Sequence, residues 1–280
     1  MITSAFVSKL RRKYNDLPEK HQDNRTGDGS STVYKIKTAP IKEGSFKQYI
    51  NNALQSTTGY TIDLDTGDLE LGAATSNEIK SQYQGVKFRD QHWLEFIQDA
   101  FDSLGDQFFK TVIRSVSGIT LSADVQVYDC PSDCIRLTEV LESDDYTSGG
   151  NFKKPFVNMN YDRRSNKLVL GAKPTKANYL QISYQRKLTR PTAVTTVLDV
   201  EDNWLQLLDL SVGAQQARSY ADRIAKQGNV SVEEGHISMS HLRTLANDND
   251  IKFENLKRKL KPVPPSISIP YYIHGGGDVL

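Results

Sequence analysis

Residues 90–116 read DQHWLEFIQDAFDSLGDQFFKTVIRSV, and apolar side chains recur along them at intervals of three or four. That interval is the period of one face of an α-helix, so the stretch predicts one long amphipathic helix that begins at Asp90. The apolar face of such a helix needs another surface to pack against. Its positions are Trp93, Ile97, Ala100 or Phe101, Leu104, Phe108, Val112 and Val116.

Two further helices are predicted towards the C-terminus, over residues 199–227 and 231–260. Asp199 is suited to cap the first, and Ser231 with Glu234 forms the pattern of a capping box for the second. The helix over 199–227 carries a seam of large and small apolar residues, which allows another helix to approach closely. This seam consists of Trp204, Leu207, Leu210, Ala214, Ala217, Ala221 and Ile224.

Between the helices the apolar period changes to two residues, which is typical of strands with one buried face. Four such runs, separated by Gly, Asn and Pro, predict a small antiparallel β-domain inserted at residues 118–190. The runs are 135–141, 156–159, 168–170 and 180–184.

The N-terminal part of the chain predicts a short helix followed by a β-module. The helix covers residues 4–15, and a turn-rich segment at 23–31 separates it from the first strand. An Asp-Thr-Gly turn at 65–67 predicts a hairpin between the last two strands. The predicted strands are 32–37, 45–51, 60–64 and 68–71.

The last part of the chain is rich in proline, and proline interrupts a helix because it lacks the backbone donor. Residues 262–280 therefore predict an extended, apolar tail that docks on another surface. The predicted fold class is α+β: an antiparallel helical bundle over 89–261 with the inserted β-domain, an N-terminal β-module over 1–88 and this C-terminal tail.

The composition excludes several classes of protein. The chain has 280 residues with 35 basic and 34 acidic side chains, so its net charge of +1 gives no long-range attraction to nucleic acid or to an acidic membrane. It contains no run of roughly 18 apolar residues, the length that spans a bilayer. Its first residues also lack the basic segment followed by an apolar segment that is typical of a secretory leader. Two cysteines are too few for a disulfide scaffold, which predicts a reducing compartment.

The near-zero net charge conceals two segments of opposite sign. Residues 90–145 contain twelve acidic and three basic side chains, a balance of −9, whereas residues 151–190 contain ten basic and one acidic, a balance of +9. Two interpretations remain open: the segments neutralise each other within one subunit, or they face each other between copies in a head-to-tail ring. A third patch, +4 over residues 252–261, complements the dipole of the last helix or contacts an acidic partner.

No motif for catalysis or cofactor binding is present. The chain lacks a phosphate loop, a dinucleotide fingerprint, a nucleophile elbow and a zincin motif, so we expect neither an enzyme nor a cofactor. Cys130 and Cys134 together with His236 and His241 nominally form a four-ligand metal site, but the two pairs are about 100 residues apart. Residues 63–68 weakly resemble a calcium loop and fit a hairpin turn better.

Two blocks of the sequence resemble structural proteins of tailed bacteriophages. The segment DGSSTVYKI at 28–36, with Pro40-Ile41, Gly44-Ser45, GYTID at 59–63 and TGDL at 66–69, resembles a small β-module common in virions. The remainder is similar to the head-to-tail connector, or adaptor, family. The features that carry this second resemblance are the helix opening at Asp90, the strand block with CIRL at 134–137, LVL at 168–170 and ISY at 182–184, and the helix with Trp204.

The resemblance implies a virion protein of the neck that assembles in the host cytoplasm. In that family a dodecameric ring lies under the portal, double-stranded DNA passes through it, and a C-terminal tail enters the portal. Its partners would be itself, the portal protein and tail or stopper proteins, with no membrane. The residues expected to bind the portal are Lys257, Arg258, Lys259, Lys261, Ile267, Ile269, Tyr271, Tyr272 and Ile273.

Contacts between subunits are expected from the charged segments and from one aromatic residue of the helical seam. The residues are Asp99, Asp102, Asp106, Arg163, Arg164, Lys167 and Trp204. Two alternatives stay open: a stopper or another tail or baseplate component, and a module that binds a ligand such as a glycan through the N-terminal strands.

Overall fold

The computed structural model describes residues 1–105, 108–144, 150–156, 159–174, 177–227 and 238–260. The chain divides into two compact units. Unit 1 combines Met1–Leu104 with Thr189–Lys259, and unit 2 is built on the intervening Gly105–Leu188. The second unit is therefore an insertion into the first. Its first residue is 105 and not 118, and the predicted boundary between residues 88 and 89 lies inside unit 1.

Unit 1 contains the four helices found among the described residues, together with seven strands. In chain order these are α1 Thr3–Lys13, β1 Glu19–Thr26, β2 Val33–Lys35, β3 Lys47–Ile50, β4 Ala53–Leu54, β5 Tyr60–Ile62, β6 Asp68–Leu71, β7 Glu78–Gly85, α2 Asp90–Leu104, a 3-10 turn Asp202–Trp204, α3 Leu205–Gln227 and α4 Met239–Leu260. None of the described helices is long and apolar enough to cross a membrane.

The strands of unit 1 form two antiparallel sheets in the orders β1-β7-β3-β4 and β2-β6-β5. The predicted hairpin is confirmed, because Tyr60 pairs with Leu71 and Gly67 occupies the turn with a φ of 75°. Side chains of β7 alternate between buried and half-exposed along most of the strand. One apolar core serves both sheets: Ile36, Ile41, Leu69, Leu71, Ile79 and Tyr83.

The helix predicted over 90–116 is correct only in its first half. Helix α2 ends at Leu104, where Gly105 adopts a φ of 70°, the left-handed conformation that commonly ends a helix. Residues 109–121 form a strand, β8, that pairs antiparallel with the last strand of unit 2. The extension of the helical pattern to 116 was therefore wrong. Thr111, Val112 and Ile113 are β-branched, and β-branched side chains favour a strand over a helix.

The first of the two C-terminal helices begins later than predicted. Helix α3 starts at Leu205, after the 3-10 turn, and the carboxylate of Asp199 accepts a hydrogen bond from the amide of Thr189 at 2.8 Å instead of capping the helix. Helix α4 is described from Met239, and the Ser231–Glu234 capping box lies outside the described residues. Small side chains line the contact between these helices, as predicted. The cluster contains Ala217, Ala221, Leu242 and Ala246.

Unit 2 consists of two small antiparallel sheets, in the orders β11-β10-β14-β8 and β12-β13-β9, around one core. The prediction of an antiparallel β-domain is confirmed at this level. Of the strand predicted at 156–159, Phe156 lies outside a strand, residues 157 and 158 lie outside the described residues, and Met159 is the first residue of a strand. The strands are β8 Phe109–Leu121, β9 Val127–Asp129, β10 Arg136–Ser143, β11 Phe152–Pro155, β12 Met159–Asp162, β13 Lys167–Leu170 and β14 Asn178–Lys187.

Candidate interaction surfaces

Of the basic side chains in the last turn of α4, one is anchored within the chain and two are exposed. Lys257 is half-buried, its Nζ donates to the Ser103 carbonyl at 2.5 Å, and it lies 5.4 Å from the ring centroid of Phe253. It therefore satisfies a carbonyl in the last turn of α2, where helices lack internal donors. Arg258 and Lys259 are exposed. The other residues predicted to bind the portal lie outside the described residues: Lys261, Ile267, Ile269, Tyr271, Tyr272 and Ile273.

The acidic residues predicted for subunit contacts lie on the exposed side of α2. Asp99 and Asp102 are both exposed, and Glu95, one turn earlier, is exposed as well. Asp102 pairs with Arg190 at 3.1 Å within unit 1. Asp106 lies outside the described residues.

The basic residues predicted for subunit contacts lie at one hairpin of unit 2, between β12 and β13. Arg163 and Arg164 are exposed at its tip, which Asp162 shapes by accepting hydrogen bonds from the Arg164 amide at 2.9 Å and the Ser165 hydroxyl at 2.6 Å. Lys167 pairs with Asp129 of β9 at 2.8 Å. The hairpin thus exposes both arginines on a turn that these hydrogen bonds stabilise.

Ion pairs between described residues join the acidic segment to the basic segment within the chain. They are Lys167 with Asp129 at 2.8 Å, Arg186 with Asp133 at 3.7 Å and Arg190 with Asp102 at 3.1 Å. For these residues the structure favours neutralisation inside one subunit. Each pair includes a side chain that is at least half exposed, so each contributes little to stability.

Trp204 does not lie on a surface of this chain. Its relative exposure is 3%, so the indole belongs to the interior of unit 1 and is removed from the candidate subunit contacts. The seam to which it was assigned is internal for the same reason: Leu207, Ala214, Ala217 and Ala221 are all buried.

A buried ion network centred on Asp16 attaches α1 and the residues after it to the first turn of α2 in unit 1. Asp16 is 1% exposed and accepts hydrogen bonds from the Arg11 guanidinium at 2.7 Å, the Trp93 indole at 2.8 Å and the Lys87 amide at 2.5 Å. Arg11 also reaches Asp90, the first residue of α2, at 2.8 Å. Burial raises the pKa of Asp16, while Arg11 and the other donors favour its charged form.

A second, more exposed network connects the β-module to the same end of α2. Arg89 pairs with Glu43 at 2.9 Å and with Asp65 at 2.6 Å, and Glu43 accepts the backbone amide of Asp90 at 3.2 Å. Burial opposes the ionisation of Glu43, but backbone hydrogen bonds and Arg89 hold its pKa below the usual value. These contacts explain why the predicted N-terminal module and the helices form one unit.

Helix α1 is attached to α3 through a close approach at a glycine. The Tyr14 hydroxyl lies against Gly213, where an added Cβ would be 2.0 Å from the oxygen. The same hydroxyl donates to the Asp209 carbonyl at 3.1 Å, and Lys13 pairs with the Asp209 carboxylate at 2.8 Å. Burial, reinforced by Asp209, raises the pKa of Tyr14, so the phenol remains a donor at neutral pH.

The described residues contain no group of three or more His, Cys, Asp and Glu side chains that could hold a metal ion. In the segment that weakly resembled a calcium loop, Asp63 accepts the backbone amides of Asp65 and Thr66, and Asp68 pairs with Lys35. These carboxylates therefore build the hairpin turn. Cys130 and Cys134 are buried free thiols in unit 2, and His236 lies outside the described residues.

A basic groove on unit 1 was not predicted from the sequence. It has a volume of about 650 Å³ and lies along β1, β3 and β7. It escaped prediction because β1 is wholly polar, EKHQDNRT, and becomes a strand by pairing with β7 over eight residues. The lining residues include Lys20, His21, Lys42, Lys47, Gln82 and Gln84.

No protein-family model matches this chain, and no curated protein is significantly similar to it in sequence. The support for the candidate interaction surfaces is therefore the geometry of the chain and the resemblance of its residue patterns.

Proposed function

We propose that this chain is a virion structural protein that forms a ring at the neck of a tailed bacteriophage, joins the portal to the tail and lets DNA pass. The observation that carries the proposal is the insertion of an antiparallel β-unit, Gly105–Leu188, between two helices, α2 and α3, that pack on each other in unit 1. This order of elements is the one that the resemblance to head-to-tail connectors implies.

The distribution of charge supports an assembly role. Arg163 and Arg164 are exposed on a tight hairpin of unit 2, and Asp99 is exposed on α2 of unit 1. Because a head-to-tail ring joins two different surfaces of the same chain, opposite charges on different parts of a subunit can register its neighbours. In this proposal these residues contact the adjacent subunit, while Asp102, Asp129 and Asp133 are paired within the chain.

The end of α4 supports a role in portal binding. Arg258 and Lys259 are exposed in the last helical turn, directly before the proline-rich residues 262–280. We propose that this basic turn and the apolar tail after it bind the portal, with the tail adding as an extended segment.

Binding of the full-length protein to purified portal tests this role. Deletion of 263–280 should leave a folded protein that no longer binds portal. Unchanged affinity of the truncated protein would reject the tail as the binding element. If the full chain associates with stopper or tail-tube proteins and not with portal, the protein belongs to a lower layer of the neck or tail.

The basic groove favours a second candidate function, a module that binds an acidic glycan. Three lysines, Lys20, Lys42 and Lys47, line it together with glutamine amides and one carboxylate, Glu43, and this excess of donors is suited to sulfate or carboxylate groups. Elution from a heparin column tests it. A double substitution, Lys42→Ala with Lys47→Ala, should lower the salt needed for elution more than the control Lys226→Ala on α3, and equal elution would contradict glycan binding at the groove.

A further inference from the structure

The turn between β9 and β10 brings the two cysteines of the chain together. Cys130 and Cys134 flank the turn Pro131-Ser132-Asp133, which is closed by a hydrogen bond from the Cys134 amide to the Pro131 carbonyl at 2.9 Å. Both thiols are free, with relative exposures of 7% and 8%, and both belong to the same buried cluster of unit 2. The closed turn therefore places two free thiols close together in the core of this unit.

Side chains from the β12–β13 hairpin hold this turn in place. The side-chain amide of Asn166 donates a hydrogen bond to the Pro131 carbonyl at 2.8 Å. The backbone carbonyl of Asn166 accepts a hydrogen bond from the Cys130 amide at 3.1 Å. The Tyr161 hydroxyl, 3.3 Å from the Cys134 carbonyl, is also 2.9 Å from the Asn166 side-chain oxygen. Because both ends of the turn are fixed, the thiols stay adjacent in the folded unit.

The environment makes the two thiols chemically unequal. The hydrogen bond from the Cys130 thiol lowers the pKa of Cys134 to about 7, against the opposing effects of burial and of the Asp133 carboxylate. The same interaction raises the pKa of Cys130, and burial raises it further. Of the two thiols, Cys134 therefore ionises more readily, and the thiolate is the reactive form.

We propose that Cys130 and Cys134 are a reversible dithiol–disulfide pair that is oxidised by exchange with a small-molecule disulfide. This proposal goes beyond the neck function and does not depend on it. The disulfide would connect the end of β9 to the start of β10, and these strands belong to different sheets of unit 2.

The exchange takes place in two balanced steps. The Cys134 thiolate attacks one sulfur of the small disulfide, which forms a mixed disulfide on Cys134 and releases one small thiolate. Cys130 then loses its proton to that thiolate or to solvent and attacks the Cys134 sulfur, which releases the second small thiolate. The two cysteines are oxidised by two electrons, and the small disulfide is reduced to two thiols.

Mass spectrometry of the full-length protein tests the proposal, with oxidised glutathione as the probe. After incubation, an acid quench and alkylation, the peptide with both cysteines should be two hydrogens lighter and carry no alkyl group. Because the chain has only these two cysteines, any protected thiol is assigned without ambiguity. Two alkylated thiols after incubation, or disulfide-linked dimers in place of the internal bond, would overturn it.

Serine variants test the order of the steps. In Cys130→Ser, which keeps a hydroxyl donor beside Cys134, a glutathione adduct should accumulate on Cys134 at a rate that rises with pH as its thiol ionises. In Cys134→Ser, capture by Cys130 at the same pH should be slower, because burial and Asp129 oppose ionisation of Cys130, whereas Cys134 keeps hydrogen bonds from Tyr161 and the Arg136 backbone that favour its thiolate. Equal rates in the two variants would contradict Cys134 as the attacking thiol, whereas the experiment on the unaltered protein tests the pair even if a variant does not fold.

Discussion

A buried ion pair in unit 1 and an exposed ion pair in unit 2 contribute differently to the fold. In unit 1, Asp16 and Arg11 are almost completely buried and bonded to each other, and each makes further contacts with α2. In unit 2, ion pairs such as Lys167 with Asp129 are largely open to solvent, with exposures of 41% and 83%. A buried charge must keep its partner, whereas an exposed charge can exchange its partner for water or another protein. The difference indicates that the buried Asp16–Arg11 pair is part of the fold of unit 1, whereas the exposed Lys167–Asp129 pair contributes little to the fold of unit 2.

The largest effect should come from breaking the buried network. Asp16→Asn removes the charge that faces Arg11 and replaces an acceptor oxygen by a donor, so Arg11 loses its buried counter-ion. We expect a loss of about 3 kcal/mol in the free energy of unfolding, which denaturant titration followed by circular dichroism measures. The matched control is Asp129→Asn in unit 2, and an equal loss in both variants would contradict the contrast between the units.

A smaller effect is expected where α1 contacts α3. Gly213→Ala places a methyl group against the Tyr14 hydroxyl, which must move and give up its bonds to Asp209. The cost should be about 1–3 kcal/mol. Combining it with Tyr14→Ala removes both the clashing oxygen and the ring carbon Cζ, which is 2.7 Å from the added Cβ, so the two costs should be less than additive in thermal unfolding. Full additivity would show that the close approach has no energetic role.

The exposed pair of unit 2 should matter least for folding. Lys167→Ala removes the partner of Asp129 and should change the free energy of unfolding by no more than about 0.5 kcal/mol. The measurement is the same denaturant titration, at low and at high salt. A loss above about 2 kcal/mol would mean that unit 2 depends on surface charge for its fold, contrary to the comparison.

The sequence predicts α2 but misassigns β8, and the spacing of the residues explains both outcomes. Between Trp93 and Leu104 the apolar positions are separated by three as well as four residues, and steps of three cannot keep side chains on one face of a strand. Phe108, Val112 and Val116 are separated by four, which fits a helix and also a strand, because four is a multiple of two. Only the pairing of β8 with β14 decides between them.

The features that position the candidate surfaces are the least visible in the sequence. Asp16 follows an amphipathic helix in a turn, where an aspartate is normally solvated, and its burial depends on Arg11, Lys87 and Trp93 from three parts of the chain. The arginines at 163 and 164 are exposed because a turn between short strands leaves them no interior. Local pattern therefore predicts surface charge better than it predicts buried charge.

The proposed subunit contact follows from that exposed charge. Arg163→Glu with Arg164→Glu should leave the free energy of unfolding of the subunit within about 0.5 kcal/mol of the unaltered chain, because both side chains are exposed. If these residues register neighbouring subunits, the double variant should form rings less readily at low salt. Rings of unchanged mass and abundance at both low and high salt would assign the charged segments to contacts within one subunit.

Native mass spectrometry of the full-length protein, alone and with purified portal, tests the proposed neck function most directly. We predict a single closed ring of this chain, dodecameric by the resemblance to connectors, that forms alone or on the portal and stays bound to it. A protein that remains monomeric at all concentrations and does not associate with portal would contradict the proposal.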